Sequence, residues 1–216
     1  MRINDKGKPH EMVLDPAEIE KRSMEMIEAE LSVPLAEEIR PVVKRVIHAT
    51  ADFSFAENMR FTPGVVELMR GMLQKGASII TDTNMALTGI SKPALRKLGA
   101  KAYCFMADEE VAKEAKERGK TRALVSMEHA LLLPGPKLFV CGNAPTFLLP
   151  LLEREEAPAE TAVIGVPVGF VNVPEVKEML WNSGLPCIAA MGRRGGSTVA
   201  AAVVNALMYG IPGVRV

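Results

Sequence analysis

The chain holds 216 residues, in which 26 Lys and Arg balance 26 Asp and Glu for a formal net charge of zero. That length suits one α/β domain with a full core, and an apolar share of 48% excludes a disordered composition. The balanced charge argues against a nucleic-acid or anionic-membrane surface, so any anionic ligand must be met by local arginines and helix ends.

Residues 1–14 mix charges with single apolar residues and read as a flexible arm. They lack the apolar core of a signal peptide, and no run in the chain approaches the length that crosses a bilayer. Asp15-Pro16 is an N-cap followed by a helix-starting proline, which predicts a helix to about Leu31. Pro41 opens a second helix to about Ala49, and Pro63–Lys75 is a third, ended by Gly76 in a left-handed cap.

Five short, β-branched-rich runs then read as strands: Ala77–Thr81, Lys101–Phe105, Lys137–Cys141, Thr161–Val166 and Pro186–Ala190. Helical patterns separate them at Asp108–Arg118, Thr121–Leu132 and Ala144–Arg154, with a short helix after Pro174 and a small-residue helix from about Gly195 to Tyr209. Alternation of this kind predicts a single domain over residues 1–216. Its fold class is a three-layer α/β/α sandwich with a five-stranded parallel, doubly wound sheet, preceded by N-terminal helices.

In such sheets ligands bind beyond the carboxyl ends of the strands. The segments to read for chemistry are therefore Thr81–Ile90, Met106–Asp108, Gly142–Thr146, Pro167–Pro174 and Met191–Ser197. Gly192-Arg193-Arg194-Gly195-Gly196-Ser197 is the strongest. Its glycines allow close approach, amides at a helix start attract anions, and arginine reaches a carboxylate with two donors. It is neither a P-loop nor a dinucleotide fingerprint. Asn143 looks like an N-cap ahead of Pro145. Asp82 either orients a ligand or caps the next helix.

Of the three histidines, His10 lies in the arm and His129 on a helix among apolar residues. His48 ends a helix and is followed at once by Thr50, Asp52 and Phe53. An imidazole with hydroxyl, carboxylate and aromatic neighbours in sequence suits acid–base chemistry, although a helix end attracts histidine for dipole reasons too. Cys104, Cys141 and Cys187 are far apart and odd in number, which points to small buried hydrophobes in a reducing, cytoplasmic setting and not to a metal site.

Several stretches, taken in order, resemble the precorrin-8X methylmutase family. They are Ile19-Glu20-Lys21-Arg22-Ser23, Arg45-Val46-Ile47-His48, Ile80-Thr81-Asp82-Thr83-Asn84-Met85, Thr121-Arg122, Gly142–Thr146, Gly165–Val171, the Gly192–Ser197 loop and Ala200–Leu207. The resemblance implies a methyl shift from C-11 to C-12 of the (cobalt-)precorrin-8 ring, an isomerisation giving (cobalt-)hydrogenobyrinate. It implies His48 as the proton donor and acceptor. Ser23, Asp82, Thr83, Arg122, Asn143, Arg193, Gly195 and Gly196 are the expected substrate-binding residues. No cofactor or protein-bound metal is expected, since any cobalt arrives inside the tetrapyrrole polycarboxylate. A homodimer with sites near the subunit interface is implied as well.

Met24 after Ser23 and Ala123 after Arg122 depart from some members of the family. The Thr-Ala-Asp-Phe stretch after His48 looks more like members that act on the cobalt-containing substrate. A non-catalytic tetrapyrrole carrier and a nucleotide-binding regulator are the alternatives. The carrier would keep the arginine and glycine loops without depending on the imidazole, and the regulator predicts phosphate recognition at Gly192–Ser197.

Overall fold

The computed structural model describes residues 12–214. Most of the expected arm, with His10, lies outside the described residues. Asp15 caps α1 (Pro16–Glu30) by accepting from Ala17 N–H at 3.3 Å. Next come α2 (Arg40–Thr50), a one-turn α3 (Phe55–Asn58), β1 (Met59–Phe61) and α4 (Val65–Gln74). The first half of the sheet region runs β2 (Ser78–Thr81), α5 (Asn84–Gly89), α6 (Lys92–Leu98), β3 (Ala102–Tyr103), α7 (Glu109–Glu117), α8 (Arg122–Leu131) and β4 (Lys137–Cys141). A 3-10 turn (Pro145–Phe147), α9 (Leu149–Leu152), β5 (Thr161–Gly165), α10 (Val173–Asn182), β6 (Cys187–Ala190) and α11 (Ser197–Tyr209) complete it.

Side chains alternate across each strand and sort the core into two layers. Ile79, Leu138, Val140, Ala162, Ile164, Ile188 and Ala190 face the layer built from α1 to α6 and α11. Ile80, Phe139, Cys141, Val163 and Cys187 face α8, α9 and α10. The three-layer α/β/α reading of the sequence is therefore the observed architecture. Helix α11 is buried almost all round because Ala200, Ala201, Ala202 and Ala206 let its neighbours approach closely. At Gly89 an added Cβ would sit 2.8 Å from Ala201 Cβ.

The sheet has six strands in the order β1-β6-β5-β4-β2-β3. Five are parallel as expected, and β1 is an antiparallel addition pairing Met59 with Ala190 and Phe61 with Ile188. Three residues flanked by Pro63 carry too little periodicity to announce a strand. The sequence patterns set no range for α5, the helix that follows Asp82, or for the short α6 after it. The expected Ala144–Arg154 helix is broken into the 3-10 turn and α9, with prolines at positions 145 and 150.

Among the five parallel strands, chain order and spatial order diverge once. The chain passes from β2 outward to β3, then returns across β2 to β4 and continues to β5 and β6. The reversal falls between β2 and β4, so the topological switch point is bounded by Thr81-Asp82 and Cys141-Gly142.

Candidate active site

Asp82 closes the switch point from within. Its carboxylate is fully buried and accepts from Gly142 N–H at 2.8 Å and from the N–H groups of Asn143 and Ala144 at 2.7 Å. Burial pushes this carboxyl up, and the three amide bonds pull partly against that. Asp82 thus neither caps the next helix nor presents its oxygens to a ligand. The cap of α5 is Thr83, which accepts from Ala86 N–H at 3.1 Å. The amides of Gly142–Ala144, on one of the segments past the strands singled out for chemistry, are filled by the protein's own carboxylate. Asn143 is likewise no N-cap, since Ala144 holds that position ahead of the 3-10 turn, without a side-chain bond. Its exposed side chain stands at the rim.

Hydrogen bonds link the remaining positions along the carboxyl edge. The hydroxyls of Thr83 and Ser197 lie 2.8 Å apart and join the starts of α5 and α11. Gly142 packs so tightly beneath α11 that a Cβ there would meet Ser197 Cα at 2.9 Å. Thr121 caps α8 and donates to Thr146 Oγ1 at 3.0 Å, which fixes the exposed Arg122 beside the Gly142–Thr146 segment.

The loop from Met191 to Gly196 is held on several sides. Gly196 N–H donates to Val166 O at 2.9 Å, and an added Cβ at Gly195 would sit 2.1 Å from the same oxygen. Gly195 has φ +158°, a region that side chains rarely adopt. The Arg193 guanidinium lies 5.1 Å from the ring centre of Phe170, which is itself 75% exposed. Arg194 donates to the Asp52 carboxylate and, at 2.6 Å, to Ser54 Oγ. Bonds from Ser54 and Arg194 hold the Asp52 carboxyl below its ordinary range.

That bridge ties the glycine loop to the turn after His48. Ala51 takes a left-handed conformation that stops α2, with φ +53°. Thr50 donates to Val46 O at 2.8 Å, and Asp52 Oδ1 accepts from Ser54 N–H at 3.0 Å. Thr50 and Asp52 therefore shape the chain and do not bond the imidazole, contrary to what their closeness in sequence suggested. His48 instead projects into an open groove of about 280 Å³ with Ser23, Met26, Ile27, Ala51 and Phe53. Ser23 donates to Ile19 O at 2.7 Å, which fixes its hydroxyl while leaving oxygen lone pairs toward the groove. A larger hollow of about 560 Å³ lies at the amino ends of the strands, between Glu67, Leu68, Lys75 and Leu185. It holds neither imidazole nor arginine and is remote from this chemistry.

His129 behaves as an ordinary surface histidine, 2.8 Å from Glu114 Oε2. Cys141 and Cys187 are buried and Cys104 is half-buried, all three free thiols. Among the described residues no cluster of His, Cys, Asp and Glu could hold a metal ion.

The family model of precorrin-8X methylmutase matches residues 18–210. Cobalt-precorrin-8 methylmutase of Salmonella typhimurium is 44% identical over 169 residues, covering 78% of this chain and 80% of the relative. The cobalt-precorrin-8 methylmutase of Priestia megaterium is 38% identical over 199 residues, 91% of this chain and 88% of the relative. The chain belongs to the precorrin-8X methylmutase family. A crystal structure of precorrin-8X methylmutase from Thermus thermophilus superposes with a TM-score of 0.81 at 38% identity, covering 89% of this chain and 94% of that one. Methylmutases of this family are isomerases of cobalamin biosynthesis, and this chain is one of them. The carrier and nucleotide-regulator alternatives give way to that membership.

One contributor escaped the sequence reading. Lys177 is fully buried and donates to Gly192 O and Arg194 O, both at 2.8 Å. The signal was present, because Lys177 shares the apolar helix face of Val173, Val176 and Leu180, at i+4 in an i, i+3, i+4, i+7 pattern.

Proposed function

We propose that this methylmutase moves a methyl from C-11 to C-12 of cobalt-precorrin-8, giving cobalt-hydrogenobyrinate (cobyrinate), with His48 as proton donor and acceptor. The observation that carries this reading is the groove in which an exposed imidazole stands between Ser23 and the aromatic wall of Phe53. A ring protonated by imidazolium has a more electron-poor conjugated system, which eases migration of the methyl with its electron pair. The proton then returns to the same nitrogen, so one residue serves as acid and base. The substrate's peripheral carboxylates meet Arg122, Arg193 and the amide of Gly195, while Gly196, its own amide held by Val166 O, keeps the loop open beside them. Thr83 and Asn143 supply polar contacts at the same rim, and Asp82 acts from beneath it.

The cobalt form is favoured because the Salmonella typhimurium and Priestia megaterium relatives are cobalt-precorrin-8 methylmutases. Cobalt enters as part of the substrate, and the enzyme needs no cofactor of its own. A groove of about 280 Å³ is small for a tetrapyrrole, since sites for large ligands run to several hundred Å³ or more. A second copy completing the wall, as a homodimer, resolves that shortfall, and the exposed Met26 offers it apolar surface. The three free thiols suit a cytoplasmic setting, and no described helix is long and apolar enough to cross a membrane.

His48→Asn tests the chemistry, because an amide keeps some hydrogen bonding yet exchanges no proton near neutrality. Ring binding, followed by absorption, should persist while methyl migration falls by about 10²–10⁴-fold. Wild-type turnover by His48→Asn refutes the assignment. Parallel assays with the metal-free substrate decide the cobalt preference, and sedimentation at micromolar concentration decides the dimer.

A further inference from the structure

Burying an ammonium strips its hydration shell, which is tolerated only when polar partners replace the water. The partners of Lys177 are main-chain carbonyls, those of Gly192 and Arg194. The carbonyl between them, of Arg193, accepts from Gly169 N–H at 3.1 Å. Three successive carbonyls of the loop are therefore occupied, those of Gly192 and Arg194 by the buried amine. The N–H groups of Arg193, Arg194 and Gly195, by contrast, have no acceptor among the described residues. Consecutive amides without a protein acceptor, on a loop that carries Arg193 and leads into a helix of 13 residues, are donors suited to a carboxylate.

We propose that Lys177 is the positioning residue of this loop: by holding the carbonyls of Gly192 and Arg194 from inside the protein, it turns the amide edge of residues 193–195 toward a carboxylate of the substrate. The role rests on the reading of the loop as an anion site. It differs from direct recognition, since Lys177 is sealed from solvent and its amine donates to the loop backbone. The arrangement also explains why a lysine occupies an apolar helix face. A leucine there would leave two inward carbonyls unsatisfied, at a cost that favours a flipped loop. Burial lowers the amine to about 8, yet the neutral form still has one N–H for each carbonyl, so the hold does not require the charge.

The test compares Lys177→Met, Lys177→Gln and Arg193→Ala in the full-length enzyme with cobalt-precorrin-8. Lys177→Met keeps the stem and removes the donors. Its KM should rise about tenfold, the worth of one charge-assisted hydrogen bond to the ligand, with kcat within about threefold. Hydrogen exchange at the Gly169 and Gly196 amides, which tie the loop to its neighbours, should quicken in the same variant. Lys177→Gln, which restores N–H donors on a shorter stem, should recover part of the lost KM. A role in packing alone would lower thermal stability while leaving KM and exchange at Gly169 and Gly196 at wild-type values, and that result overturns the proposal. Should Lys177→Met not fold, Lys177→Leu, which also lacks donors, takes its place, and a wild-type KM with unchanged exchange there overturns the proposal equally. Arg193→Ala separates the two claims. Unchanged KM there defeats the anion-loop reading, whereas a raised KM there with none in Lys177→Met defeats only the role of Lys177.

Discussion

Asp82→Asn is the substitution that asks most of the geometry. The native carboxylate serves Gly142 N–H with one oxygen and the N–H groups of Asn143 and Ala144 with the other. An amide of the same shape has one acceptor oxygen. If that oxygen serves Asn143 and Ala144, the NH₂ is driven against Gly142 N–H, donor to donor. The buried Gly142 amide is then unsatisfied, at about 1–3 kcal/mol, and the other two bonds lose charge assistance, at roughly 1 kcal/mol each. Relief from burying a charge, which pushes the native carboxyl up, returns part of this. The net expectation is a loss of about 2–4 kcal/mol, or a fall in Tm of roughly 5–15 °C for a chain of this size. Urea unfolding measures it, with an unchanged m-value showing that the denatured state is not the cause. At a temperature where the variant is folded, KM should move far less than stability. Stability within about 1 kcal/mol of wild type, coupled to a large rise in KM, would refute this account and make Asp82 a direct ligand of the ring.

Two further outcomes follow from the same backbone geometry. Gly195→Ala places a methyl against Val166 O in a left-handed region, so it should cost roughly 2–5 kcal/mol by circular-dichroism melting and weaken ring binding by displacing the loop. A melting curve like that of the wild type would mean that the loop does not pass this close to β5. Lys177 gives a pH signature. Its amine is held near 8 when folded, below the 10.5 of an ordinary lysine, so the cost of burying its charge is fully present below pH 8 and disappears between about 8 and 10.5. Wild-type stability should climb across that interval relative to Lys177→Met, by at most about 3 kcal/mol; parallel pH profiles would show that the buried amine is not depressed.

The sequence by itself determined the layers and the order of the main elements. Strands β4 and β5 are continuous apolar runs because both of their faces are covered, and α2 repeats its apolar residues at Val42, Val43, Val46 and Ile47. These are local patterns with many residues in agreement. Linked motifs pointed to the methylmutase family, and they placed His48 and Ser23 in one set although they are 25 positions apart. Only the tertiary structure decided what each polar group does. Asp82 and the Gly142–Ala144 amides are distant in sequence, so nothing local shows that they satisfy one another across the switch point and leave no cradle there for a ligand. Thr50 and Asp52 adjoin His48 in the chain but turn away from it, because the helix ends at Ala51 and Arg194 draws the carboxylate toward the glycine loop. Lys177 was legible as a charge on an apolar face, yet its meaning depended on two carbonyls arriving from a different strand-to-helix turn. Hydrophobic periodicity is written along the chain, whereas the pairing of a buried polar group is settled by whichever partner the folded core brings within hydrogen-bond reach.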